Sequence, residues 1–124
     1  MIDVKQLIGE YCKNTTVRVK ENYILVTPPF FHIENDESIA LRFSEAEDGR
    51  PIITDCGTTT DYLEIRDINL KNYQEKLDAI KKRFFIEEKD GVFSMAIPSV
   101  DLQRVAVYLG YFIQAVCVIA NIDL

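Results

Sequence analysis

His32 is the only histidine in the chain, and it stands among Glu34, Asp36 and Glu37 in a polar stretch that follows Pro28-Pro29. Imidazole and carboxylates together suit zinc or manganese. His32 and Asp36, joined by Asp55 if the neighbouring hairpins pair, therefore form the candidate metal centre of a nuclease or phosphoesterase. Neither H-E-x-x-H nor D-x-D spacing occurs, however. The competing reading is a solvated acidic loop that holds no metal.

A second candidate is the run Asp55-Cys56-Gly57-Thr58-Thr59-Thr60-Asp61. Its chemical reading makes Cys56 a nucleophile beside a Gly-Thr anion nest, but a thiolate needs a base, and His32 is the one imidazole available. Its structural reading has Asp55 and the threonines bonding backbone amides in a tight turn, with Gly57 at positive φ. The structural reading is preferred, and no catalytic residue is assigned.

Charge narrows the classes further. Twenty acids against 14 bases leave a formal net charge of −6, which argues against direct nucleic-acid binding. The basic concentration Lys71, Lys76, Lys81, Lys82 and Arg83 is interrupted by Glu75 and Asp78 and reads as a solvated helix face. Acids crowd the middle third. A continuous acidic face there would steer a basic protein partner, with Glu45, Glu47, Asp48, Asp61 and Glu64 as the candidate binding residues. Three cysteines, Cys12, Cys56 and Cys117, without C-x-x-C spacing fit neither a disulfide framework nor a zinc ribbon. With no signal-peptide pattern at the N-terminus, the expected compartment is the cytoplasm, and no cofactor motif appears.

The elements that must position these residues follow from periodicity. Residues 2 to 13 read as an amphipathic helix. The alternating stretch 15 to 27 reads as two short strands about Glu21-Asn22, and Pro28-Pro29 ends it. Residues 38 to 45 and 51 to 55 form a hairpin across Glu47-Asp48-Gly49-Arg50, and residues 62 to 65 are at most one helical turn. Residues 69 to 84 are helical, with Leu70, Tyr73, Leu77, Ile80 and Phe84 on one stripe. A hairpin across Asp90-Gly91 joins strands 85 to 89 and 92 to 97. The last helix runs from about 100 to 121 with Ser99 as its N-cap. The fold class is α+β, in the order α-β-β-β-α-β-β-α, with helices packed on one antiparallel sheet in a single domain over residues 1–124.

The last helix is apolar almost all round. One face (Leu102, Val105, Leu109, Phe112, Val116) would cover the sheet. The other (Ala106, Val107, Gly110, Ile113, Cys117) must meet either the preceding helix or the same helix of a second copy, and is the candidate homodimer interface. Residues 105 to 120 fall short of the length that spans a bilayer, so no membrane insertion is expected.

Thr27-Pro28-Pro29-Phe30, then Ile53-Thr54-Asp55-Cys56-Gly57-Thr58-Thr59 and Leu63, resemble a prokaryotic and phage family known only as domain of unknown function 1828. The likeness follows the order of elements over positions 20 to 120. That family usually carries a second acid where this chain has Cys56. Separately, the order of elements resembles that of type III secretion chaperones, small acidic dimers that bind unfolded effector segments. Fold alone does not carry function. The expectation from the residues is a non-catalytic, dimeric protein-binding domain that occupies a partner's surface. The phage resemblance implies an inhibitor of a host defence enzyme as one form of it.

Overall fold

A computed structural model describes residues 2–6, 16–19, 24–27 and 41–124. His32, Asp36 and most of the expected first helix lie outside them; residues 4–6 are helical, and the Asp3 carboxylate accepts from the Lys5 and Gln6 amides at 3.0 and 3.3 Å.

The described elements are β1 (Thr16–Val19), β2 (Ile24–Thr27), β3 (Leu41–Glu45), β4 (Pro51–Thr54), α1 (Thr58–Ile65), a 3-10 turn (Leu70–Tyr73), α2 (Gln74–Phe84), β5 (Glu87–Lys89), β6 (Val92–Ala96) and α3 (Leu102–Ala120). The fold is α+β, as the alternation of periods two and 3.6 predicts. The strands form one antiparallel sheet in the order β1-β2-β3-β4-β6-β5. β4 pairs with β6 rather than with the strand next in sequence; α1 and α2 lie in the connection between them.

Register explains which face is covered. Phe43 pairs with Ile53 and Ile53 with Met95. Leu41, Ile53, Phe93 and Met95 are fully buried, while Arg42 and Ala96 point to the exposed side. Leu63 of α1, Leu77 of α2 and Phe112, Val116 and Ile119 of α3 close the core over that face.

Local chemistry moved several boundaries. Residues 58–65 make two helical turns rather than one, because Gly57 at φ 81° reverses the chain and lets Thr58 start a helix directly. The helix expected over 69–84 divides: Asn69 accepts from the Lys71 amide and starts a 3-10 turn, and Tyr73 at φ −124° separates it from α2. Phe85 ends α2 in the left-handed region at φ 58°, so β5 begins two residues later than alternation implies. Asp101, not Ser99, caps α3, accepting from the Gln103 amide at 3.0 Å. Ser99 Oγ accepts from the Asp101 amide instead. Asp90 and Gly91, both at positive φ, make the tight turn that the Asp-Gly pair predicts.

Candidate functional site

Asp55 is wholly buried, and its carboxylate is committed to backbone. Oδ1 accepts from the Gly57 amide at 2.9 Å and from the Phe93 amide at 3.0 Å; Oδ2 accepts from the Thr59 amide at 3.3 Å. The Asp55 carbonyl takes the Thr58 hydroxyl at 2.6 Å and the Thr58 amide at 3.0 Å. The same residue thus starts α1 and ties it to β6. A carboxylate that accepts from three amides has most of its acceptor capacity committed to backbone, which supports the structural reading of the Thr54–Thr59 run. Among the described residues no group of three His, Cys, Asp or Glu side chains could hold a metal ion.

Cys56 is exposed beside this turn. Partial burial of its sulfur pushes the thiol up. The Arg42 guanidinium opposes that shift and the Asp55 charge adds to it. A raised thiol is the reverse of an activated nucleophile.

The acids expected to form one face lie at opposite ends of the sheet. Glu45, Glu47 and Asp48 are exposed at the β3–β4 hairpin, before β4; Asp61 and Glu64 are exposed on α1, after it. Asp48 is further occupied by Arg50, which donates through Nε at 2.6 Å and through its backbone amide at 3.1 Å. These bonds hold the Asp48 carboxyl below its usual range. At the other end Glu64 joins Asp67, Glu88 and Asp90 around a groove of about 610 Å³. The Thr60 hydroxyl, donating to the Gly91 carbonyl at 2.6 Å, fixes the β5–β6 hairpin against α1 there.

The basic concentration on α2 is likewise dispersed. Lys76 Nζ donates to the Ile122 carbonyl at 3.1 Å, and Lys81 pairs with Asp78 and Glu88 at 3.5 and 3.6 Å. Arg83 lies over the Phe84 ring, 5.5 Å from its centroid.

The last helix has two unlike halves. From residue 112 onward it supplies Phe112, Ala115, Val116, Ile119 and Ala120 to the core; from Leu102 to Tyr111 it buries no residue fully, and Val105, Tyr108 and Leu109 pack partly against the core. Its end is also clamped: Arg66 donates to the Ala120 carbonyl at 3.3 Å, pairs with Asp123 and stacks on Tyr62. The face expected to cover the sheet is corrected at its start, since Leu102 is 83% exposed. It precedes the point at which the helix meets the core.

Of the five expected interface residues, Ala106 and Val107 are exposed, and Gly110, Ile113 and Cys117 are half-buried. Ile113 and Cys117 pack against the core, and α2 is the helix beside them. Burial pushes the Cys117 thiol up to about 12. Between α2 and α3 runs an apolar groove of about 560 Å³, lined by Ala79, Ile80, Phe84, Cys117 and Val118, with Arg83 and Gln114 as its polar groups.

Periodicity alone did not single out that groove, nor the exposed stripe Arg104, Val107, Tyr111, Gln114 and Val118 on α3. The signal was present: those positions alternate by three and four, the spacing of a helix–helix seam. By length and composition α3 could also cross a membrane. Doing so would withdraw Phe112, Val116 and Ile119 from the core.

Set against known protein families, curated proteins and solved structures, the chain matches none.

Proposed function

We propose that the protein is a non-catalytic binding domain that acts by occupying the surface of another protein, and that it associates with a second copy of itself through the first half of α3. One observation carries this reading: the first ten residues of a long apolar helix contribute no fully buried side chain, only Val105, Tyr108 and Leu109 packing partly against the core, and Val107 remains 54% exposed. Exposed apolar surface of that kind is disfavoured unless it is covered by association. Ala106 and Gly110 on the same half are small enough for a second helix to approach closely. The exposed acids Glu45, Glu47, Asp61 and Glu64 at the two ends would steer a basic partner in the cytoplasm. The specific form we propose is an inhibitor of a host defence enzyme, the form that a phage origin, expected from the Thr54–Thr59 run, would give the reading.

Light scattering tests the association. The wild type should run as a dimer at micromolar concentration and Ala106→Glu as a folded monomer, because a carboxylate placed in an apolar interface goes unpaired. A monomeric wild type would overturn the dimer.

A further inference from the structure

The groove between α2 and α3 has an unusual electrostatic setting. The chain carries six excess negative charges, yet the groove lining holds no acid and one cation, Arg83. Asp78, the nearest acid by sequence on α2, is turned toward Lys81 and Gln74. Arg83 has no ion-pair partner among the described residues, and its guanidinium is held over Phe84 at the groove's edge. Stacking of this kind orients the guanidinium while leaving its in-plane donors free for a carboxylate. Gln114, exposed on the opposite wall, adds an amide that can bond the same group.

The shape points to a helix. Tyr111, Gln114 and Val118 continue the +3/+4 spacing along α3 at 42% and 45% exposure for Tyr111 and Val118. They span about 10 Å of helix axis, two turns. Ile80 and Phe84 repeat the spacing on α2. Apolar side chains on two neighbouring helices, Ile80 and Phe84 on one and Cys117 and Val118 on the other, with a trough between them, are what the apolar stripe of a third helix packs into.

We propose that the α2–α3 groove is a docking site for an amphipathic helix of a partner protein, which lays its apolar stripe on Ile80, Phe84 and Val118 and sets a carboxylate against Arg83. The proposal rests on the protein-binding reading above but not on the dimer, since the groove lining takes Gln114, Cys117 and Val118 from α3 and none of residues 102–111. Charge complementarity selects the occupant: a basic helix would bring like charge to Arg83 with no acid in the groove to offset it.

The test uses the whole chain and three synthetic 18-residue peptides. One is a helix former with leucines at i, i+4, i+7 and i+11 flanked by glutamates, one has lysines in place of the glutamates, and one is a scramble of the first. The glutamate peptide should shift the backbone amides of residues 79–84 and 111–118 and bind about tenfold tighter than the lysine peptide. Arg83→Glu should reverse that order, and Arg83→Gln should abolish the preference. Arg83 is exposed, so neither variant threatens the fold. Equal binding of the glutamate and lysine peptides would overturn the proposal. So would unchanged groove amides at millimolar peptide, or groove amides shielded by a second copy before any peptide is added. If anionic or neutral lipid vesicles shift the same amides and the glutamate peptide does not, the helix is the wrong occupant. A dimer by light scattering with no peptide response leaves the dimer standing and removes the groove; a monomer with no peptide response removes the groove and the dimer.

Discussion

The turns around Asp48 and Asp55 begin from the same local device and end in different roles. In each, an aspartate carboxylate accepts the amide two residues ahead, from Arg50 at 3.1 Å and from Gly57 at 2.9 Å, and in each a glycine near φ +80° completes the reversal. Asp48 is exposed and its second oxygen pairs with Arg50; Asp55 is wholly buried and its carboxylate also takes the amides of Thr59 and Phe93. An Asx turn is a local event that a few residues suffice to form. Whether it also braces the fold depends on a donor 38 residues away, which the turn itself does not supply.

The contrast is sharpest at the two carboxylates. Asp55→Ala should destabilise by about 3–5 kcal/mol, because it strands buried amides of α1 and β6 with no water to replace the lost acceptor. Asp48→Ala should leave the denaturation midpoint within error, its partners, the Arg50 amide and guanidinium, being exposed. Chemical denaturation of both variants checks this. A small loss at Asp55 would return that residue to the list of candidate functional groups.

The two glycines isolate what is purely local. Gly49 and Gly57 sit at φ +83° and +81°, and a Cβ at Gly49 would meet nothing within 4 Å while one at Gly57 would make only ordinary contact with Val92 at 3.6 Å. Gly49→Ala and Gly57→Ala should therefore each cost about 1 kcal/mol. If Gly57→Ala costs several times more, the Asp55 turn is less tolerant of strain than its contacts imply.

Thr59 offers a smaller effect of opposite sign. Its side chain is fully buried and its hydroxyl has no hydrogen-bond partner among the described residues. Thr59→Val should be neutral or stabilising, by up to about 1 kcal/mol, since it replaces an unpaired hydroxyl with a methyl of similar size. Marked destabilisation would show that the hydroxyl is engaged.

At the exposed turn the expected change is kinetic. Exchanging Glu45, Glu47 and Asp48 for Lys should leave the melting temperature nearly unchanged, slow association with a basic partner and flatten its salt dependence. Stopped-flow binding at two ionic strengths reads this, and an on-rate indifferent to both changes would reduce the hairpin acids to solubility. The Asp48–Arg50 pair adds a pH signature. Its carboxyl is lowered, so whatever the pair contributes is present above the ordinary carboxylate pKa and fades as pH falls through the lowered value. Asp48→Asn and wild type should therefore converge in strong acid.

The sequence by itself determined the α+β class, the strand pairs around Asp90-Gly91 and Asp48-Gly49, the amphipathic stripe of α2 and the extent of α3. Each of these depends on residues close in the chain, through side-chain period and the φ of glycine. Tertiary structure decided the rest. It split the acids of the middle third between the two ends of β4, because strand direction, not sequence distance, sets which side chains become neighbours. It turned Asp55 into a brace by bringing the Phe93 amide to it. It also gave the two halves of one apolar helix unlike environments, since hydropathy along α3 records what could be buried, and only the position of α1, α2 and the sheet settles how far along the helix the core extends.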